Sequence, residues 1–283
     1  MPVIDLFLTM YRHPEMLELV IESFNRTRKP REYRLWGMFE KDFNPALEAI
    51  FDRVRGVETK KVFREKLHGI NWNTPRSWMD IGAETSGEYV AQFQSDICLS
   101  IDFLEFLDYC MMNFDVGYTL AHGYRSGEPR DDRRVRVRCM SGWYGHIGCA
   151  VKTDILREIY PQYFTEAYQK NCIKHMKSVF SKTETGGSDH YANAFLLKHG
   201  VEGARPSSSR VTNIGITGEH IKLIRPDQDK WAAMSRHEKL AILRTIRDQK
   251  EYKLKSNVDF SCHPMILGDY DWSDLYIASE DKG

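Results

Sequence analysis

The sequence predicts an α/β protein built on a mostly parallel central sheet with helices on both faces. Between residues 3 and 112, short β-rich runs alternate with apolar residues at helical spacing, the order from which parallel sheets are made. The composition is that of a folded chain: 283 residues, 42% hydrophobic and 28% charged, enough to bury a large core. No apolar stretch reaches about 18 residues before an Asp, Glu or Arg interrupts it, so no membrane-spanning helix is expected.

Each element has its own signal. Val3 to Thr9 (VIDLFLT) reads as a buried strand rather than as a leader, because the amino end lacks a basic start and a small-residue cleavage site. Pro14 opens a helix, where its missing N–H costs nothing, and Leu17, Val20, Ile21 and Phe24 form its apolar face. Tyr33 to Phe39 is a second strand, ending at the acids Glu40 and Asp42. A short helix over Pro45 to Arg53 carries Leu47, Ile50 and Phe51 on one side. Thr74-Pro75 has the cap-then-proline form of a helix start, running toward Gly87. YVAQFQSD is then a strand with a polar end, and Asp102 to Met112 is an amphipathic helix. Ligands of such sheets sit beyond the carboxyl ends of the strands. Here that rule singles out Tyr11 to His13, Glu40 to Asp42, and Gln94 to Asp96.

Simple alternation then stops. VGYTLAH (116–122) reads as a strand, followed by an arginine-rich stretch over 123–138. SGWYGHIGCAVK leads into a helix near Thr153, and GGSDHYANAFLLKHG into another that closes at Gly200. Ser235 and Glu238 have the spacing of a capping box for a last helix. No repeat or low-complexity linker divides the chain, so a main domain over 1–222 and a helical extension over 223–283 are expected.

Several function classes recede. With 40 basic and 40 acidic residues the chain is not a general polyanion binder. The cysteines (98, 110, 139, 149, 172, 262) form no C-x-x-C pair, which favours a reduced, cytoplasmic protein over a disulfide framework or zinc ribbon. G-x-G-x-x-G, the P-loop, H-E-x-x-H and G-x-S-x-G are all missing.

Five segments carry a resemblance when taken in order: MYRHPEMLELVIESF, EYVAQFQSDICLSIDFLEFL, SGWYGHIGCAVKTDIL, GGSDHYANAFLLKHG and NIGITGEH. Across residues 3–220 the chain resembles the nucleotide-sugar glycosyltransferases of the GT-A fold, in particular the inverting family 2. The resemblance implies a three-layer α/β sandwich with a helical carboxy-terminal extension. It also implies transfer of a sugar from a nucleoside-diphosphate sugar, UDP first among them, to an acceptor hydroxyl.

By the same resemblance Asp96 takes the place of the last Asp of a D-x-D-like motif, after Gln94 and Ser95, and His220 that of a histidine completing the metal site. A divalent cation, Mn²⁺ or Mg²⁺, suits hard oxygen ligands and a leaving diphosphate. The plainer reading of Asp96 is a cap of the turn before the next helix. Asp189 corresponds to the catalytic base, and a helix start favours its ionised form. The family commonly has Glu-Asp where this chain has Ser188-Asp189, followed by His190. Tyr11, Glu40, Asp42, Asp80 and Ser95 are the implied nucleotide contacts, and Trp143, Tyr144 and Gly145 line the sugar or acceptor pocket with Ser188 and His190.

The arginine-rich stretch is either a grip for a phosphate-bearing acceptor or a solvated edge strand that discourages further pairing. Other readings remain: the same transfer onto a hydroxylated base of nucleic acid, a nucleotidyltransferase, and a non-catalytic sugar-binding relative.

Overall fold

Seven buried residues in a row make β1 (Ile4–Met10) an interior strand. Ile4, Leu6, Leu8 and Met10 face one core and Phe7 the other, the period-two alternation of a strand covered on both sides. The computed structural model describes residues 2–122, 134–139, 148–179, 188–206, 209–215, 231, 233–248 and 276–279. β2 (Tyr33–Phe39) and β4 (Tyr89–Gln94) flank β1 in parallel, and β3 (Glu58–Phe63) extends the sheet beyond β2. β3 has no counterpart among the expected elements. It is an edge strand with Glu58, Thr59 and Lys60 in water, so the apolar alternation that announces a strand is missing.

Past β4 the sheet becomes mixed. β8 (Cys149–Lys152) lies antiparallel between β4 and β6 (Tyr118–Leu120), and β9 (Gly203–Pro206) runs parallel to β6. β7 (Arg134–Cys139) and β11 (Tyr276–Ser279) complete the order β11-β7-β9-β6-β8-β4-β1-β2-β3. The arginine-rich strand is therefore not the solvated edge that the sequence allowed. β7 pairs with β9 on one side, Arg136 opposite Arg205, and with β11 on the other.

Helices α1 (Pro14–Arg26), α2 (Ala46–Phe51) and α4 (Phe103–Asn113) cover one face. α3 (Ile70–Glu84), α5 (Thr153–Glu158), α6 (Tyr160–Tyr163), α7 (Glu166–Lys170), α8 (Cys172–Val179) and α9 (Ser188–Lys198) gather on the other. α10 (Arg236–Asp248) starts with the expected capping box: the Ser235 N–H donates to Glu238 Oε2 at 2.8 Å, and the Glu238 N–H to Ser235 Oγ at 3.3 Å. It buries Leu240 and Leu243 in the core shared with α1, and Arg236 pairs with Glu18.

One expected boundary is wrong. α3 begins at Ile70, so Thr74-Pro75 lies inside the helix rather than at its start. Pro75 has no N–H for the carbonyl of Asn71 four residues back. The Tyr168 hydroxyl donates to that carbonyl instead, at 2.5 Å, which is how a proline is accommodated there.

Candidate functional site

Parallel pairing brings four strand ends side by side. The register sets Thr9 beside Gln94, Met10 beside Phe39, and Phe39 beside Phe63. The residues that follow therefore line one edge of the sheet in the order Asp96, Tyr11, Glu40, Arg64. Three of these are the predicted ones. Arg64 follows the unexpected β3, and its N–H donates to the Phe39 carbonyl at 2.8 Å.

Asp96 sits half-buried in the tight turn between β4 and β5 (Ile97–Leu99). β5 pairs antiparallel with β10 (Val211–Asn213), and the Ile214 N–H donates to the Asp96 carbonyl at 2.9 Å. A Cβ on Gly215 would come within 2.5 Å of Asp96 Oδ2, so any larger residue there would push the Asp96 carboxylate aside. Burial pushes the Asp96 carboxyl up to about 6, and among the described residues no basic side chain offsets it. A half-buried carboxylate with no opposing charge among the described residues is a fitting ligand for a divalent cation. His220 lies outside the described residues. Among those described, no group of three His, Cys, Asp or Glu side chains is placed to hold a metal.

Glu40 is buried at the end of β2, with Oε2 accepting from the His68 N–H at 2.9 Å. Among the described residues Oε1, which is buried, has no hydrogen-bond partner. Desolvation raises the Glu40 carboxyl, moderated by the His68 N–H and by Arg64. The folded state thus holds this proton more tightly than the unfolded chain. Its stabilising contribution is full below the unfolded value and is lost as pH rises through the folded one. Glu40→Gln is expected to flatten that part of the pH dependence, read as urea midpoints from about pH 4 to pH 8. An unchanged slope would show that Glu40 does not contribute to it.

Arg64 ties the neighbouring acids together. It donates to Asp80 at 2.9 Å, to Asn73 Oδ1 at 3.0 Å and to Ser77 Oγ at 3.1 Å. Asp80 also pairs with Arg76 at 2.7 Å, so both of its oxygens already face guanidinium groups. Tyr11 is half-buried, with the Arg12 guanidinium 4.5 Å from its ring centroid. Asp42 is exposed and adopts a left-handed conformation (φ 59°) that Asp tolerates in turns. Ser95 is half-buried in the Asp96 turn.

On the face covered by α3, Ser188 is buried at the first position of α9. Asp189 and His190 follow in its first turn, where only their backbone is described. Trp143, Tyr144 and Gly145 lie outside the described residues. The stacked pair His68 and Trp72, 3.7 Å between centroids, stands beside Glu40 and was not legible in the sequence, because nothing in LHGINW marks a loop folding back over a strand end.

No protein-family model and no curated protein matches the sequence. Solved structures do. The S. aureus protein TarS (residues 1–349), in complex with UDP-GlcNAc, superposes with a TM-score of 0.51 at 12% identity over 92% of this chain and 68% of that one. Mannosyltransferase PcManGT from Pyrobaculum calidifontis, in complex with GDP-Man and Mn²⁺, gives 0.50 at 12% identity over 87% and 74%. TarS without a named ligand gives 0.51 at 12% over 87% and 72%. Among the described residues no helix is long and apolar enough to cross a membrane. Strand order, the parallel β4-β1-β2-β3 core and these superpositions together show that the chain has the GT-A glycosyltransferase fold.

Proposed function

We propose that this protein transfers a sugar from a nucleoside-diphosphate sugar to an acceptor hydroxyl, with inversion. The observation that carries the reading is the edge on which Asp96, Tyr11, Glu40 and Arg64 converge, with a buried Glu40 oxygen that has no partner among the described residues. That oxygen suits a hydrogen bond from the ribose or base, and the Tyr11 ring offers a face for stacking. Asp42 and Ser95 flank the same edge, while Asp80 acts there by holding Arg64. The TarS complex with UDP-GlcNAc and the PcManGT complex with GDP-Man and Mn²⁺ support a nucleotide sugar and a divalent cation as partners.

Asp96 and His220 would hold Mn²⁺ or Mg²⁺, which when bound neutralises the leaving diphosphate. Asp189 accepts the proton of the acceptor hydroxyl as its oxygen attacks the anomeric carbon, and the glycosidic bond to the diphosphate breaks on the opposite face. Ser188, His190, Trp143, Tyr144 and Gly145 belong to the sugar and acceptor side. This reading uses residues 1–222 as the catalytic domain, with 223–283 as an extension.

A thermal-shift panel of UDP, GDP, CDP and dTDP, each with and without Mn²⁺, tests the reading. One nucleotide is expected to stabilise the fold only with the metal, by about 2.7 kcal/mol at roughly 100 times its dissociation constant. Asp96→Ala is expected to remove the metal dependence. Silence across the panel would leave a non-catalytic relative. Pyrophosphate rather than a nucleoside diphosphate among the products would mean nucleotidyl transfer.

A further inference from the structure

The amino end of α9 is held by groups that the proposed chemistry does not itself use. Asn71 Oδ1 accepts from the Ser188 N–H at 3.0 Å, and the Tyr163 hydroxyl donates to the Ser188 carbonyl at 3.1 Å. The peptide groups on both sides of Ser188 are therefore gripped, and the second of them is the one that joins it to Asp189. Asn71 is itself fixed by the Tyr168 hydroxyl on its carbonyl, the acceptor that Pro75 leaves open. Tyr163 and Tyr168 are fully buried with their rings 5.2 Å apart, and Tyr191 of α9 packs on both. Burial keeps the Tyr163 hydroxyl protonated, as a donor must be.

A helix start is normally set by its own cap and is free to fray. Here it is pinned from two other helices, α3 and α6, each side of the one residue that precedes Asp189. We infer that Asn71, Tyr163 and Tyr168 are positioning residues: they fix the backbone at Ser188 so that the Asp189 carboxylate meets the acceptor hydroxyl in one geometry. The inference rests on Asp189 being the base. A misplacement on the order of 1 Å in such a group costs about 100-fold in rate.

The test is a double-mutant cycle on the full chain, read as release of nucleoside diphosphate from UDP-GlcNAc and from GDP-mannose with Mn²⁺. Tyr163→Phe and Asn71→Ala are each expected to lower kcat by roughly 10- to 100-fold, with donor KM held within about twofold. In an Asp189→Asn background the same changes are expected to cost nothing further. An equal loss in both backgrounds would overturn the inference. Full turnover by Asp189→Asn alone would instead remove the base assignment. Hydrogen exchange gives an arm independent of turnover. Tyr163→Phe is expected to speed exchange of the amides of residues 188–192 by about tenfold or more while those of α1 stay protected. Unchanged exchange at 188–192 would show that no clamp exists.

Discussion

Asp189→Ala is expected to lower sugar transfer by about 10²- to 10⁴-fold, the range a positioned general base supplies. Nucleotide affinity and the unfolding midpoint should stay close to wild type. The backbone places Asp189 in the first turn of α9, next to the Ser188 peptide that Asn71 and Tyr163 hold. The strand-end residues proposed for the nucleotide lie on other elements, so donor binding is expected not to depend on this side chain. Release of nucleoside diphosphate, compared with nucleotide affinity on the same preparations, separates the two effects. Wild-type turnover in the variant would end the assignment of Asp189.

The largest effect on stability is expected from Arg210→Met. Arg210 and Asp102 are both fully buried and lie 3.0 Å apart, with Ser100 donating to the same carboxylate. Without the guanidinium, Asp102 is a buried charge facing no opposite one, a loss of about 3–5 kcal/mol. Asp102→Asn combined with Arg210→Met should recover much of it, because neutralising both partners removes the uncompensated charge. Urea denaturation of the single and double variants measures this. A loss below about 1 kcal/mol would mean that Asp102 finds another partner or takes up a proton. The damage would extend beyond the pair, since the Ser100 N–H donates to the Arg210 carbonyl at 2.9 Å at the Leu99–Val211 end of the β5–β10 ladder, whose other end carries Asp96.

What could be read from the sequence followed burial. β1, α1, β2 and α4 are amphipathic or wholly buried, so their apolar spacing announces them. The strand-end rule pointed at Tyr11, Glu40 and Asp96, and the structure sets these residues after adjacent strands of the sheet. β3 stayed hidden because half of it faces water, and with it Arg64, whose importance comes from partners 9 to 16 residues away on α3. The start of α3 was misplaced because Thr74-Pro75 imitates a cap, while the hydroxyl that makes Pro75 tolerable comes from Tyr168, distant in sequence. The same distance hides the contacts of Asn71 with Ser188. Local patterns report what a residue buries, and they are silent on the hydrogen bonds it receives from elsewhere.

The position of β7 bears on how the chain assembles during synthesis. β1 to β4 are all made within the first 94 residues and can pair at once. β7 ends at Cys139, yet its neighbours are β9, ending at Pro206, and β11, which starts at Tyr276. At translation rates of about 5–20 residues per second, β7 waits on the order of ten seconds for its last partner. An apolar strand left unpaired that long would seek pairing in other nascent chains. The alternating arginines of RVRVR oppose this by charge repulsion. The charge that RVRVR carries is what a strand waiting for its partners needs in order to resist pairing with another chain.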